Sequence, residues 1–164
     1  SPAGAHGRRP VRALPPGWRP GRRSQIANRH TPCQTMQHPG TTTGMKRILV
    51  VDDDAIVLLV LRDALRRVDP ECDIVTAKDG REALDLLRAD TFDLLVTDLG
   101  LPGITGITLT EEARELHADL PVVWITAYGC HNVCNESDRL GVCCCLDKPV
   151  EIERIREAVR TALR

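Results

Sequence analysis

The sequence predicts an α/β fold in which a parallel sheet of five strands carries helices on both faces. Between residues 46 and 164, short apolar runs alternate five times with segments of helical periodicity, which is the pattern of strands joined by crossover helices. Runs such as RILVV at 47–51 are continuously apolar or β-branched after their first residue, as in strands that are buried on both sides. The chain has 164 residues and is 42% hydrophobic but only 2% aromatic, so we expect one domain with an aliphatic core.

Each element is predicted from the spacing of its apolar residues. A helix repeats them every three to four residues, whereas a doubly buried strand shows a short continuous run. By these criteria, the predicted strands are residues 47–51, 72–77, 92–98, 121–126 and 142–146. The predicted helices are residues 55–68, a segment after Asp79, residues 106–117, residues 129–140 and a last segment opened by Pro149. The helix at 129–140 is predicted by position alone, because its Cys, His, Asn and Ser residues are weak helix formers.

Three of these helices carry a signal at their start. Asp54 precedes the first helix and is expected to cap it. Asp79 and Glu82 have the spacing of a capping box before the second helix. Pro149 is expected at the first position of the last helix, where its missing N–H is not needed.

Residues 1–44 differ in composition from the rest of the chain. They contain seven Arg and no Asp or Glu, among many Pro, Gly, Ser and Thr residues. Such a segment buries too little apolar surface to offset the entropy of ordering, so we predict that it is disordered. It is either a native basic tail or sequence lying ahead of a natural start at Met45, and we favour the second origin. The predicted folded domain is therefore 45–164.

The composition of this domain excludes several classes of function. Residues 45–164 contain 15 basic and 23 acidic residues, a formal balance of −8, so we expect no direct nucleic-acid binding by this domain. The longest apolar run, residues 55–61, is too short to cross a membrane, and no secretory signal follows the Arg-rich start. The seven cysteines are odd in number and three are consecutive, which favours reduced thiols in a cytoplasmic protein.

Polar residues follow the predicted strands at the edge where parallel strands end. They are Asp52, Asp53 and Asp54 after the first strand, Asp98 at the end of the third, Thr126 at the end of the fourth and Lys148 after the fifth. Sites of doubly wound sheets lie beyond this edge. Clustered carboxylates repel each other unless a cation joins them, and oxygen ligands without histidine favour Mg²⁺.

This set of side chains has what phosphoryl transfer requires. A carboxylate can attack phosphorus, and the three equatorial oxygens of the transferred group need neutralisation. Mg²⁺, the Lys148 ammonium, and the Thr126 hydroxyl with backbone N–H groups would each take one oxygen. Each residue alone has an ordinary explanation as a helix cap, a strand former or a surface charge. Their combination at the correct strand ends indicates a functional site.

The same segments resemble the receiver domains of two-component response regulators over about residues 46–164. ILVVDDDA is similar to the first strand of that family with its acidic pair, Asp52 and Asp53, and LLVTDLGLPGITG resembles the loop of its phosphoacceptor, Asp98. WITAYG resembles the strand that ends in the switch hydroxyl, Thr126, and LDKPV resembles the Lys–Pro pair at Lys148. The resemblance implies a flavodoxin-like sheet of order 2-1-3-4-5 with five helices.

The resemblance also implies a role for each site residue. Mg²⁺ would be held by Asp53, Asp98 and the Gly100 carbonyl, with Asp52 acting through water. The phosphoryl group would be held by Thr126, Ala127 and Lys148. A cis peptide before Pro149 would aim the Lys148 ammonium inward. Gly100 and Tyr128 would flank the path of the attacking water and tune the lifetime of the phosphoryl group.

By the same resemblance, a histidine kinase or phosphotransfer protein would phosphorylate Asp98 and thereby change an output face. That face would consist of the fourth helix, the fifth strand and the fifth helix, and would bind a downstream effector protein or domain or a second copy of the domain. The family carries a switch aromatic three residues before the lysine, and here that position is Cys145. We therefore expect switching through Thr126 and loop ordering without the aromatic movement.

The cysteines near the fifth strand have two interpretations. Cys130, His131 and Cys134 near the run Cys143–Cys145 could form a zinc or redox site. Alternatively, they fill the core as small apolar side chains, and we favour this second interpretation. Strand alternation predicts that Cys144 points to the sheet face opposite Cys143 and Cys145.

Two other functions are weighed against the phosphoacceptor. The first is an interaction module that works without phosphorylation. The second is a Mg²⁺-dependent phosphatase that forms an aspartyl phosphate, but such enzymes usually place a second Asp two residues after the nucleophile, where this chain has Gly100. We therefore expect a signalling domain rather than a turnover enzyme, either standing alone or as a piece of a longer regulator.

Overall fold

The computed structural model describes residues 44–67 and 71–164 of the chain. The predicted N-terminal segment lies outside the described residues except for Gly44, and so does Val68 at the predicted end of the first helix. Within the described ranges, no helix combines the length and apolarity that crossing a bilayer requires.

Five parallel strands form one sheet with helices on both sides. The strands are β1 (Arg47–Val51), β2 (Asp73–Ala77), β3 (Leu94–Asp98), β4 (Val122–Thr126) and β5 (Cys144–Asp147). The helices are α1 (Ala55–Arg66), α2 (Gly80–Ala89), α3 (Gly106–Leu116), α4 (Cys134–Leu140) and α5 (Ile152–Ala162), with a 3₁₀ turn at Cys130–Asn132. The strand order is β2-β1-β3-β4-β5 and every pairing is parallel, which confirms the predicted fold.

Alternation along the strands divides the core into two clusters. Leu49 and Val51 face the layer of α2 and α3, whereas Ile48 and Val50 face the layer of α1 and α5. All five residues of β3 are buried because this strand lies at the centre of the sheet and is covered on both faces. The core thus fixes the position of the carboxyl end of β3, where Asp98 stands.

Two helix caps form as the sequence predicts. The Asp54 carboxylate accepts hydrogen bonds from the N–H groups of Ile56 and Val57 at the start of α1. Asp79 accepts the Glu82 N–H at 2.8 Å, but Glu82 in return accepts the N–H of Lys78 at 2.9 Å. The return bond of the capping box is therefore displaced by one residue toward the N-terminus.

The predicted starts of the last two helices are wrong. Pro149 does not open the last helix: its peptide bond with Lys148 is cis, it lies in the turn after β5, and α5 begins at Ile152 with Glu151 as N-cap. The predicted helix at 129–140 is divided into the 3₁₀ turn and α4. The reason is local, because the Val133 N–H bonds to the Cys130 carbonyl in the tighter 3₁₀ pattern.

Candidate functional site

Three carboxylates meet at the edge of the sheet where β1 and β3 end. Asp98 is the last residue of β3, and Asp52 and Asp53 follow β1 directly. One oxygen of each carboxylate lies within 4.8 Å of the others. Asp52 is 1% exposed and Asp98 6% exposed, whereas Asp53 is exposed, so the cluster opens to solvent on the Asp53 side.

Lys148 joins two of these carboxylates. Its Nζ lies 2.8 Å from Oδ2 of Asp52 and 3.1 Å from Oδ2 of Asp98. The Lys148 N–H donates to the Thr126 carbonyl at 2.7 Å, which ties the end of β5 to the end of β4. The peptide between Lys148 and Pro149 is cis, as expected from the resemblance. Lys148 and Asp52, which are 96 positions apart in the sequence, are thus in direct contact.

Burial and neighbouring charges shift the pKa values of Asp52 and Lys148 in opposite directions. Burial raises the pKa of Asp52, and the hydrogen bonds from Lys148 and from the Asp54 N–H offset this only in part. Burial by itself lowers the pKa of Lys148, but the hydrogen bond with Asp52 and the charge of Asp98 outweigh it, so the pKa of Lys148 is raised. Lys148 therefore carries its positive charge at neutral pH.

The backbone around Asp98 is held by close packing and hydrogen bonds. The Thr97 hydroxyl donates to the Asp98 carbonyl at 2.9 Å, and the Leu99 N–H donates to the Ile125 carbonyl at 3.0 Å. A Cβ atom on Gly106 would lie 2.2 Å from the Asp98 carbonyl oxygen, so only glycine allows α3 to start this close to β3. This contact gives a physical reason for the glycine eight residues after the predicted phosphoacceptor.

The loop after β4 lies beside the acidic cluster. Thr126 is fully buried, and its hydroxyl accepts a 2.9 Å hydrogen bond from the Tyr128 N–H, while Ala127 is exposed. A Cβ atom on Gly100 would lie 3.5 Å from both the Asp98 carboxylate and the Tyr128 hydroxyl. Tyr128 is therefore a neighbour of the predicted phosphoacceptor, and the absence of a side chain at Gly100 leaves the space between them open.

The acidic cluster has the donor chemistry of a Mg²⁺ site. Hard carboxylate oxygens are the ligands that Mg²⁺ prefers, and the exposed side of the cluster leaves room for the waters that the ion keeps. Within residues 44–67 and 71–164, this is the one group of three or more acidic, His or Cys side chains close enough to share an ion. The described cysteines and His131 are thus not assembled into a zinc site.

The cysteines of β5 follow the predicted alternation in part. Cys144 packs on the side of α1 and α5, and Cys145 packs on the side of α2 and α3, as predicted. Cys143 was expected beside Cys145, but it packs on the same side as Cys144. The prediction is wrong for Cys143 because this residue precedes β5, so strand alternation does not apply to it.

One contact near the site had no signal in the sequence. The Asp147 carboxylate accepts the Cys130 N–H at 2.7 Å and so joins β5 to the 3₁₀ turn after β4. Asp147 is exposed and next to Lys148, and an acidic residue in such a position is usually solvated. Only the tertiary arrangement shows that it holds the loop.

Comparisons with known proteins agree with this geometry. A family model described as the response regulator receiver domain matches residues 48–160. Response regulator protein PilR of Pseudomonas aeruginosa is 36% identical over 119 residues, which are 73% of this chain and 26% of PilR. Sporulation initiation phosphotransferase F of Bacillus subtilis is 30% identical over 118 residues, which are 72% of this chain and 94% of that protein.

A solved structure shows the same fold. The response regulator protein TrrA of Thermotoga maritima, crystallised in complex with Mg(2+)-BeF, matches with a TM-score of 0.65 and 30% sequence identity over 73% of this chain and 100% of that chain. This chain spans about a quarter of the length of PilR. Because the family model covers most of the chain and the strand order is that of the matched fold, this protein belongs to the response regulator receiver domain family.

Proposed function

We propose that Asp98 is the residue that accepts the phosphoryl group in this receiver domain. The observation that carries the proposal is the position of its carboxylate, 3.1 Å from the Lys148 ammonium and within 4.8 Å of Asp52 and Asp53. A carboxylate oxygen of Asp98 attacks phosphorus, the bond to the donor breaks, and the product is an acyl phosphate. Receiver domains are the phosphoacceptors of two-component signalling.

Lys148 and Thr126 hold the phosphoryl group in this mechanism. The Lys148 ammonium already forms an ion pair with Asp98 at 3.1 Å, so it can neutralise one phosphoryl oxygen without a large movement. Thr126 uses its hydroxyl oxygen to accept the Tyr128 N–H, so the hydroxyl proton is available for a second phosphoryl oxygen. Ala127 is small and leaves this approach open.

Asp53, Asp98 and the Gly100 carbonyl would hold Mg²⁺, with Asp52 acting through water. When bound, the ion supplies positive charge to the carboxylates and to the transferred phosphoryl group. Asp52 is better placed for an indirect role, since it is buried and its oxygens already accept hydrogen bonds from Lys148 and from the Asp54 N–H.

The phosphoryl donor in this proposal is a histidine kinase or phosphotransfer protein of the cytoplasm. The readout is the face formed by α4, β5 and α5, which binds an effector protein or domain or a second copy of the domain. Because Cys145 stands in place of the family's switch aromatic, the change runs through Thr126 and the loop that follows it. The domain is a phosphoacceptor rather than a turnover enzyme, since Gly100 offers no carboxyl group as a general acid.

Intact mass spectrometry after incubation with acetyl phosphate and Mg²⁺ tests the proposal. We expect one added phosphoryl group on the native chain, and none on Asp98→Asn or without Mg²⁺. The matched control is Asp54→Asn, which makes the same charge change next to the cluster while keeping a residue that can cap α1. An unmodified native chain at high donor and metal concentrations would overturn the proposal, and so would full phosphorylation of Asp98→Asn.

A further inference from the structure

The 3₁₀ turn after β4 lies against β5, and each of the two segments carries a cysteine there, Cys130 in the turn and Cys145 in the strand. The Cys130 N–H donates at 2.7 Å to the carboxylate of Asp147, two residues after Cys145 on that strand, and the side chains of Cys130 and Cys145 are close enough to affect each other's pKa. Both cysteines are thiols and both are partly exposed to solvent. From this juxtaposition, we propose that Cys130 and Cys145 form an intramolecular disulfide under oxidising conditions, which fixes the loop after β4 to β5.

The surroundings favour this pair over the other described cysteines. Cys72, Cys143 and Cys144 pack on the opposite face of the sheet, against the layer of α1 and α5. The Cys134 thiol donates to the His131 carbonyl within its own turn. Both residues are free thiols in this structure, so closure must bring their sulfur atoms to about 2.05 Å from each other.

Formation of the bond needs a small disulfide as oxidant, and the step then balances. The thiolate of one cysteine attacks the small disulfide, which releases one thiol and leaves a mixed disulfide on the protein. The second cysteine attacks this mixed disulfide and releases the second thiol, so the pair loses two electrons and two protons. Burial raises the pKa of both thiols, so the reaction is slow at neutral pH. Burial also means that the reduced form gains no stability from a thiolate, and this favours the Cys130–Cys145 disulfide over the two thiols at equilibrium.

The consequence for signalling depends on the proposed phosphorylation of Asp98. Cys130 lies four residues after Thr126, and the Tyr128 N–H between them is bonded to the Thr126 hydroxyl. Movement of this hydroxyl toward a phosphoryl group must break or shift that bond and displace the loop. A disulfide at Cys130 anchors the far end of the loop and therefore opposes the movement.

Peptide mapping of the oxidised protein tests the disulfide itself. The full chain is treated with oxidised glutathione at pH 8, remaining thiols are alkylated under denaturing conditions, and cross-linked peptides are identified by mass spectrometry. We expect the Cys130–Cys145 cross-link to dominate. Cys145→Ser should abolish it, and the matched control Cys144→Ser, on the opposite face, should retain it. A dominant cross-link between other cysteines, or mixed disulfides with glutathione alone, would overturn the inference.

The phosphorylation rate tests the regulatory part separately. With acetyl phosphate and Mg²⁺, we expect the oxidised chain to be phosphorylated more slowly by about fivefold or more, the lower end of typical coupling between sites, with recovery after reduction. Cys145→Ser should be insensitive to oxidant. An equal rate in the cross-linked and reduced chains would overturn the locking role. A reduced chain that accepts no phosphoryl group would refute the proposed function, while the cross-link would remain measurable.

Discussion

Removal of the Lys148 ammonium leaves Asp52 and Asp98 close together with no cation between them. In the native chain Nζ lies 2.8 Å from one carboxylate and 3.1 Å from the other, and the two aspartates are 1% and 6% exposed. Loss of one partner from a buried ion pair typically costs about 3–5 kcal/mol, because the remaining charge stays buried without compensation. Lys148→Ala should therefore destabilise the metal-free domain strongly at neutral pH.

The Lys148→Ala variant can avoid a buried unpaired charge by protonating Asp52. The free energy of this protonation is therefore the upper limit of the loss of stability. Protonating a carboxyl group of ordinary pKa at pH 7 costs about 4 kcal/mol, at about 1.4 kcal/mol for each pH unit. Burial already raises the pKa of Asp52 in the native chain, so its protonation costs less than that. We therefore expect Lys148→Ala to lower the free energy of unfolding by about 2–3 kcal/mol at pH 7 without Mg²⁺.

The same argument gives the pH dependence its sign. A carboxyl group with a raised folded-state pKa contributes stability that is present below its unfolded pKa and lost as the pH rises through the folded pKa. Lys148→Ala removes a hydrogen bond that holds the pKa of Asp52 down, so the variant should lose stability as the pH rises above about 4. The raised pKa of Lys148 means that the native chain keeps the pair until the ammonium titrates at alkaline pH.

Urea denaturation at several pH values, in EDTA and in Mg²⁺, measures this effect. The matched control is Lys46→Ala, which removes an exposed ion pair with Asp93 of similar length, 3.1 Å, and should cost less than about 1 kcal/mol. Mg²⁺ should restore part of the stability of Lys148→Ala by supplying the missing positive charge. Equal losses for the two variants at pH 7, or a loss for Lys148→Ala that is the same at pH 4 as at pH 7, would refute the reasoning.

Two further predictions concern packing and thiol chemistry. Gly106→Ala should destabilise the domain by about 2 kcal/mol or more in urea denaturation, since the new Cβ would lie 2.2 Å from the Asp98 carbonyl oxygen. Gly100→Ala, whose Cβ contacts are 3.5 Å or longer, is the control and should unfold close to the native midpoint, whereas equal losses would contradict the steric cause. Burial raises the pKa of Cys145 to about 11, so its alkylation by iodoacetamide should still rise about tenfold per pH unit between pH 8 and 10. Quantitative peptide mass spectrometry would follow this reaction, and a plateau near pH 9 would count against the burial of this thiol.

Local patterns were sufficient to predict a parallel sheet with helices on both faces, whereas the strand order was implied by the resemblance to receiver domains. The apolar runs of β1 and β3 indicate strands covered on both faces, and the cap at Asp54 depends only on residues two and three positions away. The site residues could be proposed for a related reason. Parallel strands end at one edge, so the residues after each strand are neighbours whatever the details of packing.

Contacts between distant segments required the tertiary structure. The bridge from Lys148 to Asp52 and Asp98, the bond from Cys130 to Asp147 and the position of Cys143 depend on how loops pack outside the strands, where the alternation rule does not apply. The start of α5 was predicted wrongly for a similar reason, because Pro149 is compatible with both a first helical turn and the cis turn that it occupies. The sequence by itself determined which residues lie at the edge of the sheet, since periodicity and strand ends are local properties. Only the tertiary structure decided which of them are buried and paired, because burial and charge compensation depend on several segments at once.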